Sequence, residues 1–312
     1  MKKPRIGLLA GDPTGIGPEV AGKLLALPET REAAEITLIG DRRNFGATVA
    51  GLALIELPLD FEPVLGKLSR EAGAYTLASL RVAVEAIQRG ELDALVFAPL
   101  NKQAMKVAGL AQEDEMHFFA HLLDFHGLCS EINIAVTDTV NLWTTRVTSH
   151  VPLRAVADLI TEQGVFDAIT LLDRTMRAAR GSAARLAVAG LNPHAGEGGL
   201  MGTEEIEVIG PAVERARAAG ILVSGPWPAD TLFIAARRGG YDGVVTMYHD
   251  QGQIATKLLG FERGVTLQGG LPVPIATPAH GTAFDIAGQG IANVGPMAAA
   301  FGVAVRMAGQ GI

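Results

Sequence analysis

Three histidines lie in short loop motifs that could bind a metal ion. They are His150 in TSHVPLR, His194 in LNPHAGEGG and His249 in MYHDQG, and each motif follows a probable strand. Neutral imidazoles bind divalent metals, and three of them on one ion leave coordination positions open for a substrate. The motifs therefore predict one shared divalent metal. For any one histidine taken alone, a simple hydrogen bond within its own loop is the alternative.

The composition of the chain excludes several classes of partner. The chain has 312 residues, 48% of them hydrophobic, a net charge of -7 and one cysteine. A chain of this length and hydrophobic content can bury the core of one large or two medium domains. The lack of basic runs argues against nucleic acid as a binding partner. Cys129 alone forms no intramolecular disulfide, which fits a reducing compartment. With no signal peptide and no apolar stretch long enough for a membrane span, we expect a cytoplasmic protein.

Short apolar runs alternate along the chain with longer segments of helical periodicity. The predicted buried strands cover residues 5–10, 35–40, 94–98, 133–136, 185–191 and 243–247. The predicted helices cover residues 74–88, 117–125, 163–180 and 204–219. This alternation is typical of an α/β architecture in which helices cover a largely parallel sheet. Because no obvious linker interrupts it, we expect any second domain to be woven into the first.

A glycine-containing loop, GDPTGIGPE at residues 11–19, follows the first predicted strand and leads into a helix. Its glycines permit tight turns, and the helix N-terminus offers free N–H groups to an anion. It lacks the spacing of both the dinucleotide fingerprint and the P-loop. A ligand loop and a purely structural turn are both consistent with this motif.

A second glycine-containing loop, HGTAFDIAGQGIAN, covers residues 280–293. It resembles the adenosine-binding loop of the isocitrate and isopropylmalate dehydrogenase superfamily, which binds NAD without the Rossmann fingerprint. The resemblance implies cofactor contacts at Gly281, Asp285 and Gly288, with Asn293 reading the adenine edge. A loop that serves packing alone is the alternative.

Within that superfamily the chain resembles the 4-hydroxythreonine-4-phosphate dehydrogenase (PdxA) family over nearly its full length. The most specific motifs are residues 191–199, PADT at 228–231 and HDQG at 249–252. The resemblance implies an α/β fold of the isocitrate/isopropylmalate dehydrogenase type, with two interwoven α/β/α domains and a cleft between them. The implied domains are 1–120 plus 276–312 on the cofactor side and 121–275 for metal binding and dimerisation. The resemblance also implies a homodimer whose active site draws on both subunits.

The resemblance assigns roles to single residues. The family's metal ligands fall on His150, His194 and His249. Asp230 and Asp250 match acidic neighbours of the metal, and Lys257 matches a substrate-binding lysine. Catalytic roles would fall to Lys257, Asp250 and Lys102, although an ordinary surface lysine is the alternative for both lysines. The cofactor would be NAD or NADP, and the metal zinc, with nickel, cobalt, manganese and magnesium as alternatives.

The chain departs from the family at the implied substrate contacts. Glu115 and Met116 stand where the family has a substrate-binding His and Thr. Thr266 replaces an asparagine, and Ile275 replaces an arginine that contacts the substrate. A phosphate dianion would find little besides Lys257 to pair with, and the Glu115 carboxylate would repel it.

The implied chemistry is metal-assisted oxidation of a secondary alcohol near a carboxylate, with hydride transfer to NAD(P). Where oxidation yields a β-keto acid, CO₂ can then leave. The altered contacts favour an unphosphorylated hydroxy acid or dihydrodiol carboxylic acid. The alternatives are a 4-hydroxythreonine-4-phosphate dehydrogenase of pyridoxal phosphate biosynthesis, a phosphorylated sugar-acid dehydrogenase and, in another class, a metallohydrolase.

The glycine spacing of residues 281–290 gives a first testable prediction. Replacing Asn293 by a bulky residue is expected to weaken NAD binding, because the side chain would fill the space of the adenine edge. Metal content serves as the control and should not change. A cofactor titration that gives unaltered affinity contradicts the assignment of this loop.

Overall fold

The computed structural model of the chain describes residues 3–310. Residues 1–2 and 311–312 lie outside the described residues, and both ends belong to the predicted first domain. The chain divides into unit 1, Met1–Gly127 with Glu262–Ile312, and unit 2, Leu128–Phe261. These bounds differ from the predicted 1–120 plus 276–312 and 121–275. Residues 262–275 belong to unit 1 because the strand at Val265–Gly269 pairs with the strand at Ile275–Pro278.

Eleven strands occur within residues 3–310. They are β1 (Arg5–Leu9), β2 (Glu35–Gly40), β3 (Ala53–Glu56), β4 (Ala94–Phe97), β5 (Ser130–Val136), β6 (Asn141–Arg146), β7 (Leu186–Ala189), β8 (Val223–Trp227), β9 (Gly243–Thr246), β10 (Val265–Gly269) and β11 (Ile275–Pro278).

The same residues form eleven α-helices. They are α1 (Gly17–Ala26), α2 (Pro28–Ala33), α3 (Arg70–Gln88), α4 (Lys102–Val107), α5 (Glu115–Leu122), α6 (Val156–Leu159), α7 (Glu162–Arg180), α8 (Gly210–Ala218), α9 (Ala229–Arg237), α10 (His249–Gly260) and α11 (Gly295–Gln310). A π-helical turn, Glu205–Ile209, leads directly into α8.

The strands of unit 1 lie in the order β3-β2-β1-β4-β11-β10. All neighbours are parallel except β10 and β11, which are antiparallel. From β1 the chain proceeds to β2 and β3 on one side, and then to β4 on the other. The point where the strand order reverses therefore lies between β1 and β4. In open α/β sheets, ligands bind outside the carboxyl ends of the strands at such a point.

The strands of unit 2 lie in the order β5-β6-β9-β7-β8. Only β5 and β6 are antiparallel, whereas β6, β9 and β7 are parallel neighbours. Carboxyl ends of neighbouring parallel strands meet at the same edge of a sheet. The loops that follow β6, β9 and β7 carry His150, His249 and His194 respectively. The topology thus delivers all three histidine loops to one edge.

The six predicted strands are confirmed, and so are the four predicted helices, within a few residues at their ends. The predicted helix at 204–219 begins as the π-helical turn. The sheet is largely parallel, as predicted. Five strands, β3, β6, β8, β10 and β11, were not predicted. Polar residues or a proline interrupt the apolar pattern in three of them: β6 reads NLWTTR, β10 reads VTLQG, and β11 contains a proline. In β6, the buried Thr144 hydroxyl donates a hydrogen bond to the Asn133 carbonyl.

Side-chain caps define where the main helices begin. Ser69 accepts a hydrogen bond from the Ala72 N–H at the start of α3, and Thr161 accepts one from the Gly164 N–H at the start of α7. Such caps satisfy N–H groups that have no partner within the helix. The left-handed Gly181 ends α7 with a φ of 71°.

No helix in the described part of the chain is both long enough and apolar enough to cross a membrane.

A buried tyrosine links α3 to the end of β2. The Tyr75 hydroxyl accepts hydrogen bonds from the Asp41 N–H at 2.6 Å and from Asn44 Nδ2 at 3.3 Å. Burial raises the pKa of Tyr75 to about 12. The folded state therefore keeps its phenolic proton at a pH where the unfolded chain, with a tyrosine pKa of about 10, has lost it.

This difference predicts how stability depends on alkaline pH. The contribution of Tyr75 is fully present below about pH 10 and is lost as the pH rises toward about 12. Tyr75→Phe is expected to lower the free energy of unfolding by about 0.5–1.5 kcal/mol at neutral pH through the lost hydrogen bonds. In urea unfolding experiments between pH 9 and about 11, the free energy of unfolding should fall less steeply with pH for the variant than for the unmodified protein. Equal slopes for the two proteins contradict this account.

Candidate functional site

Two of the predicted metal ligands lie together at the edge of unit 2. The imidazole rings of His150 and His249 have centroids 5.6 Å apart and are tilted by 43°. Two imidazoles that share one zinc ion at 2.0–2.1 Å place their centroids roughly 5 Å apart. The pair therefore fits ligation of one divalent metal, and nitrogen donors of this type suit zinc, nickel and cobalt.

A cavity of about 410 Å³ opens beside this pair. It is lined by Thr148, Ser149, His150, Val151, Leu153, Val156, Tyr248, His249 and Asp250. Its volume and its mixture of apolar and polar groups suit a small ligand.

Short hydrogen bonds fix both histidine loops. The Thr148 N–H and hydroxyl both donate to the Met247 carbonyl, at 3.0 and 2.8 Å, which ties the loop after β6 to the end of β9. Asp250 Oδ1 lies 2.7 Å from His249 Nδ1. A carboxylate at this nitrogen favours the tautomer that leaves Nε2 free for a metal. The predicted catalytic residue Asp250 is thus placed to orient His249.

His194 lies in a strained loop and does not join the pair. Residues 194–198 all have positive φ values, including 52° at His194 and 44° at Glu197, and His194 is exposed. Within residues 3–310 no cluster of three or more His, Cys, Asp or Glu side chains could hold a metal. The structure thus brings together two of the three predicted ligands, and the role of His194 stays a prediction.

A buried carboxylate organises the His194 loop. Glu205 is 4% exposed, and its Oε1 accepts hydrogen bonds from the N–H groups of Leu191 and Asn192 at 2.7 and 2.8 Å. Its Oε2 accepts a further one from Asn192 Nδ2 at 2.9 Å. The predicted helix 204–219 gave no sign of this role.

The predicted substrate-binding Lys257 lies away from the cavity of unit 2. It is exposed on α10, eight residues after His249. Eight residues of α-helix advance about 12 Å along the axis. Asp230, the second acidic residue matched to the metal, is exposed in the first turn of α9. Neither residue lines the cavity beside the histidine pair.

In unit 1, two predicted site residues form an ion pair. Lys102 Nζ lies 3.2 Å from Glu115 Oε2, and the Glu115 side chain is only 8% exposed. The Lys102 ammonium group lies close enough to offset part of the Glu115 charge. Repulsion of a phosphate by Glu115 stays a prediction.

The remaining implied substrate contacts lie in the same unit. Met116 follows Glu115 in the first turn of α5 and is 6% exposed. Thr266 lies on β10, and Ile275 lies on β11 with no exposed surface. Ile275 is therefore a buried apolar residue at the position where the resemblance implies an arginine.

The opening loop and the implied cofactor loop are joined by a backbone hydrogen bond. Ile16 N–H donates to the Thr282 carbonyl at 3.0 Å. Asp12, 1% exposed, accepts hydrogen bonds through Oδ1 from the Thr14 N–H and hydroxyl. Burial raises the pKa of this carboxyl group. The loop is an ordered turn at the switch point of unit 1, next to the loop with the implied cofactor contacts.

Left-handed residues shape the implied cofactor loop. Ala283 and Gly288 have φ values of 42° and 78°, and nothing lies within 4 Å of a Cβ built on Gly281. Asn293 Oδ1 accepts a hydrogen bond from the Gly295 N–H, and Nδ2 donates to the Glu262 carbonyl. An amide retains one further N–H and one lone pair after these bonds. Asn293 could therefore still contact an adenine, although its amide oxygen also accepts the hydrogen bond from the first residue of α11.

The fold is that of the isocitrate/isopropylmalate dehydrogenase class. A β-decarboxylating dehydrogenase from Thermococcus kodakarensis superposes with a TM-score of 0.56 at 16% identity, covering 96% of this chain and 82% of that one. The 4-hydroxythreonine-4-phosphate dehydrogenase from Klebsiella pneumoniae superposes with a TM-score of 0.81 at 33% identity, covering 98% and 100%. A terephthalate 1,2-cis-dihydrodiol dehydrogenase from Burkholderia xenovorans superposes with a TM-score of 0.66 at 26% identity. This match covers 96% of this chain and 98% of that one.

Residues 19–304 match the profile of the family described as pyridoxal phosphate biosynthetic protein PdxA. The chain belongs to this family and is an NAD(P)-dependent dehydrogenase. A Pseudomonas aeruginosa relative, provisionally named 4-hydroxythreonine-4-phosphate dehydrogenase 2, is 46% identical over 97% of both chains. A Symbiobacterium thermophilum relative, provisionally named D-threonate 4-phosphate dehydrogenase, is 37% identical over 98% of this chain and 97% of the other.

The bonds made by Glu205 predict a specific effect on metal binding. Glu205→Gln places an amide donor beside the Asn192 amide and removes the charge that holds the loop. If His194 is a ligand, the affinity for cobalt or zinc is expected to fall about 10- to 100-fold. Absorption of bound cobalt, followed in a titration, measures this loss.

The matched control is Glu207→Gln, since Glu207 is an exposed residue of the same π-helical turn. Its metal affinity should equal that of the unmodified protein. A Glu205→Gln variant that loses thermal stability but keeps full metal affinity would show that the His194 loop does not hold the metal.

Proposed function

We propose that this dehydrogenase oxidises the secondary alcohol of a small hydroxy acid, with hydride transfer to NAD(P) and with a divalent metal at its histidines. The observation that carries the proposal is the pair of imidazoles, 5.6 Å apart, in a cavity of about 410 Å³. The family supports it, because PdxA dehydrogenases use NAD(P) and a divalent metal.

The bound metal would act as a Lewis acid that lowers the pKa of the substrate hydroxyl. Asp250 would hold His249 in its ligating tautomer, and Thr148 would hold the loop of His150 against β9. We propose His194 as the third ligand, with a second copy of the chain completing the site in a homodimer. Zinc is the metal we expect first, because neutral imidazoles suit it.

The first candidate substrate class is a four-carbon hydroxy acid 4-phosphate. The names of the relatives support it, since they specify 4-hydroxythreonine 4-phosphate and D-threonate 4-phosphate. The ion pair between Lys102 and Glu115 also supports it, because a paired carboxylate repels a phosphate less than an isolated one.

The second candidate class is an unphosphorylated hydroxy acid or dihydrodiol carboxylic acid. The apolar and fully buried Ile275 favours it, because no guanidinium is available there for a phosphate. The structural similarity to the dihydrodiol dehydrogenase from Burkholderia xenovorans points the same way. Oxidation to a β-keto acid would permit loss of CO₂ in either class.

We place the enzyme in the cytoplasm.

A side-by-side assay tests this function. We expect NAD(P)H formation with 4-phosphohydroxy-L-threonine or D-threonate 4-phosphate, or with their unphosphorylated counterparts. Turnover is expected to stop in a chelator and to return with added zinc or cobalt, because the metal carries the hydroxyl chemistry. His249→Ala is expected to lower kcat/KM at least about 100-fold.

The ratio of kcat/KM for each phosphorylated and unphosphorylated pair decides between the two classes. Asp158→Asn, at an exposed residue that does not line the cavity, is the matched control and should leave turnover unchanged. Full activity in the presence of chelator would reject the metal-dependent mechanism.

A further inference from the structure

A buried arginine of unit 2 donates a hydrogen bond to the serine that precedes His150. Arg146 is the last residue of β6, and its side chain is 4% exposed. Its Nε–H donates to Ser149 Oγ at 2.8 Å, and its Nη2 donates to Glu131 Oε2 at 2.5 Å. The N–H donors of a guanidinium lie in a fixed planar fork. Bonds at both sides of that fork hold the Ser149 hydroxyl at a defined position.

The arginine also determines how the Ser149 hydroxyl can be used. A serine hydroxyl has one proton and two lone pairs, whereas a guanidinium only donates. Ser149 Oγ therefore accepts from Arg146, which is its hydrogen-bond partner among the residues that the structure describes. The proton of the hydroxyl remains available to another acceptor. A hydroxyl that accepts from a charged donor is polarised and becomes a stronger donor itself.

The Ser149 hydroxyl belongs to the cavity beside the histidine pair. Ser149 is half-buried and lines the cavity of about 410 Å³ together with His150 and His249. Thr148 lines the same cavity, but its hydroxyl donates its proton to the Met247 carbonyl at 2.8 Å. Of these two neighbouring hydroxyls, only that of Ser149 still has its proton to offer to a molecule in the cavity.

The electrostatics behind this hydroxyl favour an anionic acceptor. The positive charge of Arg146, offset in part by Glu131, lies close to the hydroxyl oxygen and favours negative charge on the group that accepts its proton. Hydrogen bonds to ionised oxygens are also stronger than those between neutral groups. A carboxylate and a phosphate both supply such oxygens. Every candidate substrate of the proposed function carries a carboxylate, whereas only one class carries a phosphate.

We propose that Ser149 binds the carboxylate of the substrate by donating its hydroxyl proton to a carboxylate oxygen in this cavity. Arg146 is then a positioning residue that orients the Ser149 hydroxyl. This inference rests on the proposed oxidation of a hydroxy acid. It adds a substrate contact that lies within unit 2, beside the candidate metal histidines.

The test is Ser149→Ala, which removes the hydroxyl and leaves the rest of the cavity lining in place. The matched control is Ser224→Ala. Ser224 is a half-buried serine of β8 outside the cavity lining, and its hydroxyl accepts from Trp227 Nε1 at 3.0 Å and donates to the Tyr241 hydroxyl at 3.3 Å. Each variant leaves one N–H donor without its acceptor, so both are expected to melt about 2 to 4 °C lower.

Calorimetric titrations without NAD(P), at equal metal content, compare D-threonate with D-threonamide, in which a neutral amide replaces the carboxylate. Ser149→Ala is expected to weaken D-threonate binding about 10- to 100-fold, because a hydrogen bond to a charged group is lost. Its binding of D-threonamide should fall much less. Ser149→Thr, which keeps a hydroxyl, and Ser224→Ala should bind both compounds as the unmodified protein does.

Two further measurements separate a substrate contact from a purely structural role. Arg146→Lys keeps a cation beside Glu131 but lacks the fixed Nε–H donor, so it is expected to weaken D-threonate about 3- to 10-fold and D-threonamide less. In turnover of D-threonate 4-phosphate, Ser149→Ala should raise KM with little change in kcat. A structural role alone would weaken the acid and the amide equally in both variants.

Three results overturn the inference while leaving the proposed function intact. The first is an unchanged affinity of Ser149→Ala for D-threonate, and a loss confined to D-threonate 4-phosphate would then assign the hydroxyl to the phosphate. The second is an equal loss for D-threonate and D-threonamide. The third is a lack of D-threonate binding by the unmodified protein. If that protein binds D-threonate but oxidises no hydroxy acid, the proposed function fails, and the calorimetric comparison still decides whether Ser149 binds the carboxylate.

Discussion

The parallel register of three neighbouring strands in unit 2 is the constraint on which the candidate metal site depends. Arg146 of β6 lies beside Thr246 of β9, and Val245 of β9 lies beside Val188 of β7. Because these strands run the same way, the loops after them meet at one edge although they are separated by long stretches of chain. The facing rings of His150 and His249 follow from that register, as do the bonds from Thr148 to Met247.

Holding these loops in place has a conformational cost. Non-glycine residues at positive φ, such as His194 and Glu197, are strained, and such strain persists only where surrounding bonds enforce it. The buried carboxylate of Glu205 supplies those bonds by accepting the backbone N–H groups that precede the loop. Removing a partner from a buried carboxylate is costly, so the loop and the π-helical turn stabilise each other.

In unit 1 the surroundings of Glu115 and Ile275 suit the side chains that this chain carries there. A carboxylate at residue 115 would be unfavourable at 8% exposure without a partner, and the ammonium group of Lys102 pairs with it. Ile275 is fully buried, and an unpaired guanidinium would be costly at such a position.

The sequence by itself determined the α/β class, the six apolar strands, the four periodic helices and the family, because local patterns and motifs carry that information. It did not predict β6 or β10, whose polar side chains Thr144, Thr145 and Gln268 are buried only because neighbouring strands and helices cover them. The motifs named the three histidines, but only the strand order could place His150 next to His249, and only the positive-φ conformation of residues 194–198 could keep His194 from joining them. Likewise, the pairing of Lys102 with Glu115 depends on a contact between separate helices. Such contacts are set by packing and register, which no single stretch of sequence encodes.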